Sequence, residues 1–376
     1  MTVSYDVQIW AATGSTFAVG SLVADFENVK NIGYATYLND VGECFFTINQ
    51  DDPKVNIRAH EGTAHVMVIR NDGTNRDVVW RGILGEHEAN ETDVIFYAYG
   101  YACALYWLQT DWNQTWTAAD IGDIISALWT RAKTTLTNSQ LGFVTTGTIQ
   151  NPVTTSGGAV AVSLPSYKAY YKRILFALHE LIAVATSDTT NICYFEFAHT
   201  ASTTDNAVTF NLWKNKSTDR TITWQYGNEV KDFGDVFVPI LIRNDVFGVG
   251  SGAHNLLFRE EIATSGGTYG HTAFGRKMEP IYLTWVRDNA DLLRVTKLRS
   301  ARALRADADL GLSMLPNTIA PTGATGAGWA LGDRVNVKID RGITQIDKLM
   351  LVVGQQVIAR RGSERVRPLV QDRSGS

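Results

Sequence analysis

Seven short runs of β-branched and aromatic residues fill the first hundred positions: SYDVQIW, STFAVGSLVADF, YATYL, ECFFTIN, AHVMVIR, DVVWRGILGEHE and DVIFYAYGY. Each alternates or runs apolar over a few residues, the pattern of strands that bury one face. Turn chemistry separates them. Asn39-Asp40-Val41-Gly42 and Asn71-Asp72-Gly73 are the clearest corners, because Asp and Asn cap a tight turn and Gly takes φ > 0 without a Cβ clash. About seven short strands at this spacing predict a barrel or sandwich. Within ECFFTIN, Cys44, Phe46 and Ile48 share one face and can build a core, while Phe45 and Thr47 face out toward solvent or a neighbouring subunit.

A chain of 376 residues supports more than one buried core without disulfides or metals. Charged residues make up 19%, below the roughly 25% of ordinary soluble domains, so part of the surface is expected to meet other chains. A net charge of −4 gives no overall basic field for nucleic acid. Cys44, Cys103 and Cys193 are far apart and in no ligand-like spacing, which reads as free buried thiols in a reducing compartment. No basic-then-apolar leader and no run of roughly 20 apolar residues is present, so synthesis in the cytoplasm without membrane insertion is expected.

Past residue 105 the period changes. Thr117-Ala118-Ala119-Asp120 is similar to a capping box, and Ile121, Ile124, Ile125, Leu128 and Trp129 follow on one helical face. A second helix is expected from Ser166 through Tyr171, Ile174, Leu178 and Ile182. Strands resume at ICYFEFAH, AVTFNLW and RTITWQYG, and VFVPILIRNDVFGVGSG reads as a strand or two broken by Gly. DNADLLRVTKLRSARALRADADLGLSML reads as helical, and a Gly/Pro/Thr-rich linker leads to a last β unit beginning at LGDRVNVKID. No repeat of 20 to 50 residues is visible.

Several constellations were weighed for chemistry. His179-Glu180 begins the zinc-protease pattern HExxH, but Ala183 stands where the second histidine must be, so an ordinary helical His-Glu is the better reading. Gly248-Val249-Gly250-Ser251-Gly252 lacks the spacing of a phosphate loop or nucleophile elbow and reads as a flexible bend. Gly311-Leu312-Ser313-Met314-Leu315 fails as an elbow at its last position. The basic run Arg294, Lys297, Arg299, Arg302 and Arg305 scatters around a helix, with Asp307 and Asp309 close behind, and reads as a solvated or inter-subunit face before a nucleic-acid contact. Asp51, Asp52, Glu86, Glu88 and Glu91 could supply an acid/base pair only if two converged at roughly 5 to 9 Å. Turn-forming and surface acids are the simpler expectation. The aromatic excess suits sugar stacking, and more often fills β-cores and interfaces.

Taken in order, the segments resemble the tail hub (baseplate hub, tail-associated) proteins of long-tailed bacteriophages. LNDVGECFFTINQDDP is similar to the family's early strand-turn-strand, and HEGTAHVMVIRNDGTNRDVVWRGILGEHE to its following hairpin. ITWQYGNEVKDFGDVFVPILIRNDVFGVGSG, GRKMEPIYLTWVRDNADLLRVTKLRSARAL and GWALGDRVNVKID resemble later segments, so the likeness spans roughly residues 3–360. The resemblance implies a mainly β fold with α+β inserts and two small β-barrel domains. The first barrel would occupy residues 1–105, with an α+β insert at 106–205. The second would comprise 206–245 and 328–376, with 246–327 packing on the insert.

It also implies a non-enzymatic virion protein at the tail tip, without catalytic residues, metal or cofactor. Such a hub is a homotrimer whose six barrel faces dock on a sixfold tail tube. Its expected partners are itself, distal tail and tube proteins, the tape-measure protein and a central fibre, with DNA passing through its channel without specific binding. The chain ends soon after its last β unit, so no wall-degrading extension is expected. The alternative reading is a carbohydrate-binding or carbohydrate-cleaving β-protein.

Overall fold

The alternating runs of the first hundred residues become seven antiparallel strands in a computed structural model. It describes residues 3–29, 31–110, 114–135, 139–149, 163–169, 171–185, 193–214, 219–236, 245–250, 259–263, 278–282, 292–293, 296, 309–314, 328–342, 344–360 and 363–371. The strands are β1 (Ser4–Thr13), β2 (Ala18–Phe26), β3 (Asn31–Tyr37), β4 (Glu43–Asn49), β5 (Ala64–Asn71), β6 (Arg76–Ala89) and β7 (Asp93–Gly100). Their order across the sheet is β3, β4, β7, β6, β5, β1, β2. Alternation decides what is inside: Cys44, Phe46 and Ile48 of β4 are buried, as are Val94, Phe96 and Ala98 of β7. Phe46 stacks on Phe96 at 5.4 Å and lies 6.0 Å from Phe26.

Asp51 and Asp52 sit at a corner that opens a 3-10 helix, Pro53–His60. The Asp52 carboxylate accepts the Lys54 N–H at 2.9 Å, an N-cap, and Pro53 takes the first turn, where its missing N–H costs nothing. Pro53 therefore begins an element as well as ending a ladder.

The middle of the chain supplies α1 (Ala102–Trp107), β8 (Gln114–Asp120), α2 (Ile121–Thr130), β9 (Thr145–Ile149), β10 (Ser163–Ala169), α3 (Ile174–Ala185), β11 (Cys193–His199) and β12 (Val208–Lys214). The helical face Ile121, Ile124, Ile125, Leu128 and Trp129 is buried, as its spacing predicts. Two boundaries differ from expectation. The N-cap is Asp120, accepting the Gly122 N–H at 2.6 Å, while Thr117 lies within β8. The second helix begins at Ile174, because residues 163–169 pair antiparallel with β8, and cross-strand pairing outweighs the local helical pattern. These elements share a second core around α2 and α3.

The rest contributes β13 (Asp219–Gln225), β14 (Val230–Val236), β15 (Asp245–Val249), β16 (Arg259–Ala263), β17 (Met278–Tyr282), β18 (Asp309–Met314), β19 (Arg334–Arg341), β20 (Thr344–Arg360) and β21 (Ser363–Gln371). Residues 309–314, expected as helix, are a strand held between β14 and β21. The 17-residue β20 organises this half. Its first part pairs with β19, and its second part lies between β21 and β3, where Gly354 to Arg360 run antiparallel to Tyr37 to Asn31. Among the described residues no barrel closes. The two β units expected as separate barrels share one open 13-stranded sheet and one continuous core.

Curvature brings the far strands of that sheet back onto its centre. Tyr5 of β1 lies 6.2 Å from Tyr34 of β3, ring to ring, and its carbonyl accepts the Val29 N–H at 2.8 Å. The Tyr5 hydroxyl and Arg70 Nε both donate to Glu364 of β21 at 2.8 Å. Removing Phe46 tests this shared core. Phe46→Ala should lower unfolding stability by about 3–5 kcal/mol in urea titration. Asp52→Asn should change it by less than about 0.5 kcal/mol, because Asn caps as well as Asp.

Candidate functional site

The outward faces of β3, β4, β7 and β6 form a shallow groove of ≈ 410 Å³. Strand alternation puts Glu43 and Phe45 of β4 and Tyr97 and Tyr99 of β7 on this side, opposite the core residues Cys44 and Ala98, and a bulge in β6 between Leu84 and His87 turns Glu86 and Glu88 to the same side although Leu84 is in the core. Phe45 lies across Gly33 of β3, where a Cβ would come within 2.3 Å of its ring, so only glycine leaves room for the aromatic. Tyr99 donates to Glu86 at 2.5 Å, and Tyr97 donates to Glu88. The Glu86 carboxylate, together with partial burial, pushes the Tyr99 phenol up to about 12. Among the described residues no Lys, Arg or His lines the groove, so three carboxylates face one concavity with no described cation beside them.

A second surface is aromatic. Helix α1 buries Ala102, Cys103, Ala104 and Leu105 and leaves Tyr106 and Trp107 40% and 49% exposed. Helix α3 buries Ile174, Leu175, Ala177 and Leu178 and leaves Phe176 49% exposed. Backbone bonds from Thr110 N to the Lys172 carbonyl (2.8 Å) and from Ile174 N to the Leu108 carbonyl (3.0 Å) hold the two helix ends together. Tyr106 meets Phe176 edge-on at 5.6 Å, and the Arg173 guanidinium lies 3.9 Å over the Tyr106 ring. Tyr171, at φ 48° just before the helix, is 65% exposed.

The other candidates take structural positions. His179 Nε2 donates to the Asn39 carbonyl, and the Asn39 side chain accepts the Phe195 N–H at 2.7 Å, so the early turn docks on α3 and β11. Glu180 pairs with Lys172 at 2.6 Å. Among the described residues, no group of three or more His, Cys, Asp or Glu could hold a metal ion. The expected bend at Gly248-Val249 is instead strand β15, and a Cβ at Gly248 would meet Thr296 Oγ1 at 2.0 Å. Ser251 and Gly252 lie outside the described residues, as do Leu315, Arg294, Lys297, Arg299, Arg302, Arg305 and Asp307, while Asp309 opens β18. Of the five suspected carboxylates only Glu86 and Glu88 share the groove, joined there by Glu43. Asp52 serves as a cap, and Glu91 is exposed in the turn after β6. The three cysteines are free and buried.

Sequence reasoning missed the aromatic surface. Phe176 does not fall on the apolar face it assigned to Ile174, Leu178 and Ile182, and an aromatic off the buried face was the available signal.

No protein-family model matches the sequence, and no curated protein matches it. Among solved structures, the chain has the fold of phage-type tail proteins. It is similar to a tail protein from Neisseria meningitidis MC58 over 98% of this chain and 97% of that one, with TM-score 0.59 and 14% identity. The 43 kDa tail protein of prophage MuSo2 from Shewanella oneidensis matches over 97% of both chains, with TM-score 0.57 and 11% identity. A chain of the Francisella PdpA–VgrG complex matches with TM-score 0.56 and 8% identity, and there the likeness spans all of this chain but 53% of that one. At such identities the likeness establishes the fold. No helix among the described residues is long and apolar enough to cross a membrane.

The joint between the sheet and the middle elements contains a buried titratable group. His65 sits among Phe17, Tyr101 and Phe143. Its Nε2–H donates to the Phe17 carbonyl at 3.0 Å, which leaves Nδ1 to accept from the Tyr101 hydroxyl at 3.1 Å. Burial, reinforced by the Arg81 charge, pushes its pKa down to about 4 against the Phe17 bond. The unfolded chain takes up this proton near pH 6.5 and the folded chain refuses it until about 4. Its contribution is therefore complete above 6.5 and is lost as the pH falls toward 4, amounting to roughly 3 kcal/mol. Thermal midpoints measured from pH 8 to 4 should fall over this window, and His65→Phe should flatten the slope whatever its absolute midpoint.

Proposed function

We propose that this chain is a structural protein of a phage-type tail, the tip hub, which assembles as a homotrimeric ring. The observation that carries the reading is the end-to-end likeness of fold to two tail proteins, over 97% or more of each chain. A likeness that runs through both β units and the elements between them favours the same kind of part over a module borrowed for other work. The low charge content and the exposed aromatic surface fit a chain that spends its life in large permanent interfaces.

In the ring, each chain presents two β units, β1–β7 and the unit built on β20, as two barrel-like faces. Three chains then offer six similar faces to a sixfold tail tube, while the other side keeps threefold symmetry for a fibre or spike. The channel passes tape-measure protein and DNA without reading either. The role is non-enzymatic and needs no cofactor. The protein is made in the host cytoplasm and ends in the virion.

One observation favours the alternative, a carbohydrate-binding or carbohydrate-cleaving β-protein: Glu43, Glu86 and Glu88 share a groove with Tyr97 and Tyr99. Hydrolysis of a tail-receptor polysaccharide that disappears in Glu86→Gln or Glu88→Gln would establish it. The hub reading expects no such hydrolysis. It predicts that the purified chain sediments at three times 41.4 kDa. A single 41.4 kDa species at all concentrations overturns it.

A further inference from the structure

Of the seven large apolar side chains exposed among the described residues, four belong to α1, to α3 or to the residues leading into α3: Tyr106, Trp107, Tyr171 and Phe176, with Tyr106 edge-on against Phe176. Scattered apolar residues are ordinary on a surface, whereas a contiguous aromatic patch marks an interaction site. Its composition is that of binding hot spots, which favour Trp, Tyr and Arg. Arg173 lies 3.9 Å over the Tyr106 ring and 5.9 Å from that of Phe176, which puts a cation on the aromatic face. The groove on β3, β4, β7 and β6 has the complementary properties. It is concave, tyrosine-lined, and carries Glu43, Glu86 and Glu88 with no cation among its described lining residues.

We propose that the aromatic face of α1 and α3 docks into the acid-rimmed groove of a second copy of this chain. The inference rests on the ring reading above and supplies its contact. A twofold contact of the aromatic face with itself would set Arg173 against Arg173, and a twofold contact of the groove with itself would oppose three carboxylates to three. Aromatic face against groove pairs unlike charge and sets protruding aromatic side chains against a concave surface. The two surfaces share no residue, so the contact is head-to-tail, the kind that generates rings when the rotation closes. Tyr97 and Tyr99 already hold Glu88 and Glu86, which fixes the acids for an incoming guanidinium.

Charge reversal tests this on the full chain by sedimentation, with circular dichroism to verify folding. Arg173→Glu and, separately, Glu86→Arg with Glu88→Arg should each raise the concentration for half-assembly by more than about tenfold. Combining all three substitutions should restore the ring, because every contact then pairs a Glu on the aromatic face with Arg in the groove. Phe176→Ala, which alters no charge, should weaken assembly in the same direction and provides the reading should a reversed variant fail to fold. A wild-type ring that survives Arg173→Glu or Phe176→Ala, or folded single-face variants that the combination does not rescue, overturns the contact and leaves the hub reading standing. In that event, an oligosaccharide that quenches the groove tyrosines would assign the acids to a sugar. A wild-type chain that never assembles removes the hub reading and this inference together.

Discussion

The pairing of β20 with β3 is the constraint on which the rest of the molecule depends. Residues more than 300 positions apart in sequence meet there, and β20 satisfies the edge of the first β unit with the edge of the second. Because one ladder joins them, Val357 and Ala359 point into the same core as Phe46 and Trp80. A Cβ at Gly354 would lie 2.7 Å from the Tyr37 ring, at the bulge where β20 changes partners. The bonds of Tyr5 and Arg70 to Glu364 tighten the same joint across the shared core.

The middle elements are attached to this sheet at a few polar points around an aromatic contact. Asn39 bridges to β11 and α3, and Arg81, 6% exposed, donates to the Asp205 carbonyl at 2.6 Å and the Ser202 carbonyl at 3.1 Å. Buried polar groups must be satisfied, so these bonds specify where the insert sits. Both proposed interaction surfaces inherit their positions from it. The groove is the outside of the first unit's sheet, and the aromatic face is the side of the insert's helices turned away from its core.

What the sequence disclosed followed from local rules. Alternation found every strand of β1–β7, and the spacing of Ile121, Ile124, Ile125, Leu128 and Trp129 found the buried face of α2. Asn39 was recognisable as a turn, but its bonds to residues 140 and more positions away were not. Residues 166–169 of β10 and the strand at 309–314 were read as helix because their partners, not their own pattern, decide their state. The fusion of the two β units likewise depends on a register between distant strands that no window contains. Glu86 and Glu88 were named among the candidate acids and Glu43 was not, because it joins them only through the order β4, β7, β6.

Images of the purified chain by electron microscopy test whether this fold builds a ring. Class averages should show a threefold ring with six similar lobes around an open channel, two lobes from each copy. Single particles of one copy, or compact twofold dimers without a channel, would contradict it.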